Sequence, residues 1–395
     1  MGYRKIQGTG LFDGEKLYEG PTVLVCDEDG IIKAILSPQD AGEGVEKQGG
    51  LLCPGFVNTH CHLELSHMAG VIPPHTGMVD FLLQVMGLRG EGSADPSGSA
   101  KAADKQMYQD GIVAVGDISN NISTLPIKAA SSLYYHTFVE VAGFVPDSAE
   151  ARLGQAIQVY KGMASVLGED SVSLVPHAPY SVSKALFSLL NQTARGKRVT
   201  IHNQESPAEN QFYKTKTGDF LRLYATLGLN IDFFSPYGSD SLATYLPWLS
   251  QPHSILLVHN VATTAEDIAQ TKAQAEALNQ EFFWCLCPGA NLYIQQTLPP
   301  VDLLRKEGCT ITLGTDSLAS NYGLSILAEM KSIQDDVPSI PLADLLRWAT
   351  SNGARALGIN RRFGSFKPGM QPGILVLNQM DGTRISGQTK VKRLL

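Results

Sequence analysis

The segment PGFVNTHCHLELSHM, Pro54–Met68, gathers three histidines and a glutamate in a chain with 9 histidines among 395 residues. His60 and His62 are two residues apart, so on a strand both imidazoles lie on one face. Residues of similar chemistry follow at the ends of later apolar runs: His177 in VPHAPYSVS, His202 and Glu205 in RVTIHNQES, His259 in SILLVHN and Asp316 in CTITLGTDS. Two imidazoles from one strand, a third from another and one carboxylate offer an N₃O ligand set. That set suits Zn²⁺ or Fe²⁺ and leaves a position for water. His60, His62, His202 and Asp316 are therefore the expected ligands of one divalent ion, and Asp316 is also expected to take a proton from water. Glu205 is not needed as a ligand and is expected to carry protons to a leaving group. His259 would polarise the attacking water or face developing negative charge. His177, stiffened by Pro176 and Pro179, is assigned to substrate contact. Any one of these histidines taken alone is better explained as a core or surface residue, but five at the same end of different strands are not.

Such a constellation needs a scaffold that brings strand ends together. Eight apolar runs read as strands: LLCPGFVNTH, GIVAVGDIS, YYHTFVEVAG, VSLVPHAPY, RVTIHNQES, SILLVHN, EFFWCLCPGAN and CTITLGTDS. Amphipathic segments separate them, including ALFSLLNQTARG and TAEDIAQTKAQAEALNQ, the second opened by Thr263 and Thr264 as caps and closed at Asn279. Eight such units predict a (β/α)₈ TIM barrel with its active site at the C-terminal strand ends, where these polar residues fall. No GxGxxG follows the first strand, so a dinucleotide fold has no local support. Both chain ends instead read as short strands with Asp-Gly turns, in TVLVCDEDG, IIKAILS and GILVLNQMDG. They predict a small composite β-sandwich of residues 1–53 and 362–395, with the barrel, residues 54–361, inserted between.

Charged residues are 17% of the chain, net charge is −7, and no Lys/Arg run exceeds short pairs. A nucleic-acid partner is disfavoured. The low charged fraction fits a large buried core or subunit association, leaving a homodimer open. No long apolar run or signal-peptide pattern is present, so no membrane and a cytoplasmic location are expected. The six cysteines are scattered and read as reduced, buried thiols. EGSADPSGSA, Glu91–Ala100, reads as a flexible loop. VIPPHTGMVDFLLQVMGLRG, Val71–Gly90, reads as a segment covering a small-molecule substrate. Within it Arg89 and Asp80 are candidates to contact ribose or a carboxylate, with surface ion pairs the competing role. His67 is assigned no chemistry.

PGFVNTHCHLELS, IHNQES, LLVHN and LGTDSLASN, in this order, resemble the amidohydrolase superfamily and, more narrowly, its metal-dependent deaminase branch. The resemblance spans essentially the whole chain. It implies that His60, His62, His202 and Asp316 hold one metal and that Glu205, His259 and Asp316 act in catalysis. VSLVPHAPY carries no lysine where binuclear members have a carboxylated one, which implies a single ion. The strand-four histidine of nucleoside deaminases touches the base, the role implied for His177. Glu64, in HCHLELS, most resembles aminodeoxyfutalosine deaminases and is implied in substrate binding. The implied reaction is hydrolytic deamination of an amino-substituted purine or related ring. Hydrolysis of an amide or halide on a similar ring, and a non-catalytic binding barrel, are the alternatives. CPGANLYI departs from the family's CPxSN-type run at Gly289 and Ala290, an expected influence on substrate preference, and GMQPGILVL lacks the usual alanine-aspartate pair.

Overall fold

The structure, a computed structural model, describes residues 2–89 and 95–395. Five strands open the chain: β1 (Tyr3–Phe12), β2 (Leu17–Asp27), β3 (Ile32–Leu36), β4 (Val45–Lys47) and β5 (Leu51–Pro54). Eight follow through the middle: β6 (Phe56–Cys61), β7 (Ile112–Ser119), β8 (Tyr134–Val141), β9 (Val172–Pro176), β10 (Arg198–Asn203), β11 (Ser254–His259), β12 (Glu281–Leu286) and β13 (Ile311–Leu313). Two close it, β14 (Ile374–Asn378) and β15 (Lys390–Arg393).

Strands from both termini form one seven-stranded sheet, ordered β15-β14-β5-β1-β2-β3 with β4 also on β1. The β2–β3 hairpin turns where expected, because the Asp27 carboxylate accepts the backbone N–H groups of Asp29 (3.1 Å) and Ile31 (2.9 Å). The apolar run LLCPGFVNTH is two strands, not one. At Gly55 a Cβ would come within 2.2 Å of Val113 Cγ1, so the chain passes there on glycine. β5 stays with the terminal sheet and β6 starts the next layer.

The eight middle strands form two parallel four-stranded sheets, β6-β7-β8-β9 and β10-β11-β12-β13. Backbone bonds join them at both edges. His202 N–H donates to His177 O at 2.9 Å, and Thr315 N–H donates to His60 O at 2.9 Å. A parallel bridge pairs Cys61 with Asp316. Both seams therefore run through residues singled out for chemistry. Gly314 permits the second, since a Cβ there would lie 2.8 Å from both Cys285 Sγ and His60 Cβ. The strands are buried on both faces, as parallel strands flanked by helices must be.

Helices fill the connections. Ala265–Leu278 has a capping box between Thr264 and Asp267 and ends on Asn279 in the left-handed region (φ 53°). EGSADPSGSA is only partly a loop: Asp95 caps the helix Pro96–Gln109, while Glu91–Ala94 lie outside the described residues. Behind the His62 turn, Lys128 Nζ and Asp117 Oδ2 form a fully buried ion pair at 2.6 Å. Asp117 Oδ1 accepts the Leu63 N–H at 2.8 Å, and Lys128 also donates to Ser119 and Thr137. Every charge-bearing atom of the pair is thereby satisfied, as burial demands. Among the described residues no helix is long and apolar enough to cross a membrane.

Candidate active site

The strand ends converge as the spacing predicts. His62 Nε2 lies 3.3 Å from Asp316 Oδ1, and His60 Nε2 lies 3.5 Å from the same oxygen. His202 reaches them from the facing sheet, its Nε2 3.4 Å from His62 Nε2. Among the described residues His60, His202, His259 and Asp316 each offer one ligand atom, all within 4.8 Å of one another. His62, His202 and Glu140 form a second, overlapping group. His259 thus stands nearer the ligand set than polarising water or facing developing charge required.

These groups fit a metal ion by their own chemistry. Both ring nitrogens of His60 are buried without a hydrogen-bond partner, and a divalent cation would satisfy the one that carries the lone pair. His202 Nδ1 points to His177 O at 2.8 Å, so the neutral ring donates there and turns the Nε2 lone pair toward His62 and Asp316. Burial, reinforced by neighbouring imidazoles, pushes His202 well below the usual histidine range, and burial also lowers His62. Both are then neutral, as ligation requires. Burial works against the Asp316 charge, but His60 at 3.5 Å and the surrounding imidazoles hold it well below the usual carboxylate range.

Backbone strain sits at the same place. Gln204, His259, Asn260 and Asp316 all have positive φ, at 46°, 75°, 63° and 58°. Non-glycine residues hold such conformations only where surroundings over-determine them. Here Asn203 Nδ2 donates to Asn260 Oδ1 (3.0 Å), Tyr245 OH donates to Asn203 Oδ1 (2.7 Å), and Asn260 Nδ2 donates to the carbonyls of Leu257 and Cys285. Ser320 Oγ donates to Asp316 Oδ2 at 2.5 Å.

Glu205 and His259 form the second half of the site, Oε1 to Nε2 at 3.3 Å. Burial, with the Asp316 charge adding to it, raises Glu205 well above the carboxylate range, while burial lowers His259 to about 3. Asn291 Nδ2 donates to His259 Nδ1 at 3.2 Å, leaving the ring proton on Nε2, toward Glu205. A protonated carboxyl and a neutral imidazole face each other beside the candidate ligands. Glu205 lines a cavity of about 220 Å³ together with His177, Arg89, Asn120 and Glu140, while His259 is fully buried behind it. Its apolar wall comes largely from the helix Met78–Leu88, which includes Phe81 and Val85. The segment read as covering a substrate therefore does border the cavity.

The family model of the amidohydrolase family matches residues 51–392. This chain belongs to the amidohydrolase family. It is accordingly a hydrolase acting on carbon–nitrogen bonds other than peptide bonds. The 5′-deoxyadenosine deaminase of Methanothermobacter thermautotrophicus is 25% identical, over 94% of this chain and 84% of that one. The crystal structure of Helicobacter pylori aminofutalosine deaminase in complex with methylthio-coformycin has a TM-score of 0.82 at 22% identity, covering 96% of this chain and 93% of that one. A mutant of the atrazine chlorohydrolase of Arthrobacter aurescens, complexed with zinc and atraton, has a TM-score of 0.71 at 17% identity, over 97% and 89% of the two chains. The His/Asp cluster of this amidohydrolase supports a single divalent ion.

Other sequence assignments sort differently in this amidohydrolase. Glu64 is almost wholly buried behind the cavity wall, its side chain 2% exposed. It ion-pairs with Arg89 and accepts from Asn120 N (3.0 Å), Asn120 Nδ2 (3.1 Å) and Asn121 Nδ2 (3.2 Å). Arg89 does line the cavity, but with its charge already matched by Glu64. Asp80 takes the surface role, paired with Arg222. His67 bridges Glu64 O (3.1 Å) and Arg89 O (2.9 Å), fastening the covering helix to the His62 turn. Gly289 does not line this cavity. Its N–H binds Glu329 Oε2 at 2.7 Å, and a Cβ there would lie 2.6 Å from Asn321 Nδ2, so glycine answers a packing need. Sequence reasoning missed Glu140, Asn120 and Glu209. The only signal for Glu140 was an acidic residue near the end of an otherwise apolar strand.

Glu209 supports Glu205 from behind. Its Oε1 accepts Gln204 N (3.0 Å) and the Ser241 hydroxyl, while Oε2 is buried with no partner. Burial raises this carboxyl to about 7. A carboxyl at about 4.5 unfolded and about 7 folded stabilises the fold fully below the first value and loses that stability as pH rises through the second. The loss by pH 8 is about 3 kcal/mol. Glu209→Gln keeps the Oε1 acceptor and removes the titration. Thermal melts of this variant should lack the decline between pH 5 and 8 that the parent shows. An unchanged slope would show that Glu209 does not titrate in that window.

Proposed function

We propose that this amidohydrolase is a purine deaminase, replacing the exocyclic amine of an amino-substituted purine nucleoside by oxygen with release of ammonia. The carrying observation is the placement of the Glu205–His259 pair against His60, His62, His202 and Asp316, with Glu205, His62, His202 and Asp316 lining the cavity. An adenosine-type or aminodeoxyfutalosine-type nucleoside is the substrate we favour, supported by the names of the relatives and by the cavity beside His177.

In this reading His60, His62, His202 and Asp316 hold one ion, Zn²⁺ or Fe²⁺, which when bound supplies Lewis acidity to water at the reacting carbon. The protein groups do the rest. Asp316 takes a proton from the attacking water, and His259 donates from Nε2 toward the developing charge. Glu205 protonates the ring nitrogen adjacent to the reacting carbon. The proton taken by Asp316 then passes to the amine, which leaves as ammonia, and the hydroxyl proton on the reacting carbon restores Glu205. The covering helix and its apolar wall exclude bulk water. His177, 4.8 Å ring to ring from His202, is read as touching the base, with Glu64 and Arg89 shaping the wall.

The same reading takes the two parallel sheets and their bonded seams as a closed (β/α)₈ barrel, residues 54–361. The terminal sheet, residues 1–53 and 362–395, is read as a sandwich-like domain folded over Ile6, Leu24, Leu52 and Phe366. A cytoplasmic enzyme acting on small molecules, without nucleic-acid or membrane partners, is the corresponding cellular picture.

Ammonia release should be measured on adenine, guanine, cytosine, adenosine and 5′-substituted adenosines, with the metal content of the same sample. Turnover on a purine nucleoside with one ion per chain is the expected result. Release of chloride or an alkylamine from a triazine, with no ammonia from any purine, would move the assignment to ring hydrolysis of the chlorohydrolase kind.

A further inference from the structure

We propose that Glu140 is a specificity-determining residue that accepts hydrogen bonds from the sugar hydroxyls of the nucleoside. This deepens the deaminase reading above and rests on it. Glu140 lies near the end of β8, lines the catalytic cavity, and has a side chain only 7% exposed. Its Oε2 accepts from Asn120 Nδ2 at 3.2 Å, but Oε1 is buried with no hydrogen-bond partner. A buried carboxylate oxygen left unpaired is costly, so Oε1 has acceptor capacity for a donor brought beside it.

His202 is not that donor. Its Nδ1 stands 3.7 Å from Oε1, beyond hydrogen-bond range, and is already matched by His177 O at 2.8 Å. Nor does Glu64 compete for the role, because Arg89, Asn120 and Asn121 occupy its oxygens. Glu140 is therefore a carboxylate at the cavity with acceptor capacity to spare.

The chemistry of the substrate then limits what meets it. The ring nitrogens of a 6-aminopurine nucleoside are acceptors, which a carboxylate oxygen repels. Its one ring-borne donor is the amine, which leaves at Asp316 and Glu205. The remaining donors are the hydroxyls of the sugar. Asn120, held between Glu64 and Glu140, would fix the carboxylate plane for them.

The test compares adenosine with 2′,3′-dideoxyadenosine on the full-length parent, Glu140→Ala and Glu140→Gln, each with its metal content counted. The parent should prefer adenosine in kcat/KM by about 30-fold, the worth of a hydrogen bond to a charged group. Glu140→Ala should discriminate less than about threefold, through loss on adenosine carried mainly by KM. Glu140→Gln, which keeps the side-chain shape, should fall between and controls for folding. Equal losses on both nucleosides would mark a structural role and overturn the inference while leaving the deaminase reading intact. Two ions per parent chain, falling to one in Glu140→Ala, would overturn it in favour of a second metal held with His62 and His202. No turnover of either compound or of any other purine nucleoside by the metal-loaded parent would overturn the deaminase reading itself, and the inference with it.

Discussion

Glu205→Gln is expected to retain the ion and lose about 10³-fold in kcat, roughly 4 kcal/mol of barrier. The side chain faces His259 at 3.3 Å, beside Asp316 but outside the four residues read as ligands. Burial and the nearby Asp316 charge favour its protonated form, which glutamine imitates in shape. The variant therefore keeps packing and polarity while losing the transferable proton. KM should move little, because the missing interaction matters only when charge develops on the ring nitrogen. Steady-state kinetics with metal analysis on the same preparation decide the matter. Near-parental kcat at full metal content would remove Glu205 from proton transfer.

Asp316→Asn is expected to do more: metal content below about a tenth of the parent's and a kcat loss of about 10⁴-fold or greater, beyond the one to two orders typical of residues that merely orient ligands. Asp316 is the carboxylate on which His60 and His62 converge, at 3.5 and 3.3 Å. It is held there by Ser320, by positive φ and by the seam to Cys61. The amide has nearly the same size, so the fold should persist. What disappears is the carboxylate on which His60 and His62 converge, together with the proposed base for the water proton. A variant that still binds one ion tightly would show that the imidazoles suffice, and would leave Asp316 only a proton-transfer role.

The two variants separate two levels at which this molecule can be read. Much of the site was legible along the chain. His60 and His62 alternate with Cys61 on a strand, and alternation places side chains by local geometry alone. Apolar runs ending in His202, His259 and the GTD of Asp316 announce parallel strands whose polar ends meet at one mouth. The capped helix Ala265–Leu278 and the Asp27 hairpin were equally readable, because capping and turn formation are satisfied within a few residues.

Competition for partners was not legible. Glu64 had the stronger claim to substrate by its neighbours in sequence, yet Arg89, 25 residues on, and Asn120, 56 residues on, take its oxygens. Glu140 looked like one acid in an apolar strand and is a cavity-lining residue with one buried carboxylate oxygen unpaired. The strained backbone at His259, Asn260 and Asp316 is also invisible locally, since the amide network that holds it crosses from β10 to β11 and on to Cys285. By itself the sequence determined which chemical groups this amidohydrolase brings to its strand ends, because strand periodicity and apolar patterning are short-range properties. Only the tertiary structure decided which of those groups are spent on one another and which stay available. A hydrogen-bond donor can be shared among few acceptors, and who reaches it first depends on distances that close only when the whole chain has folded.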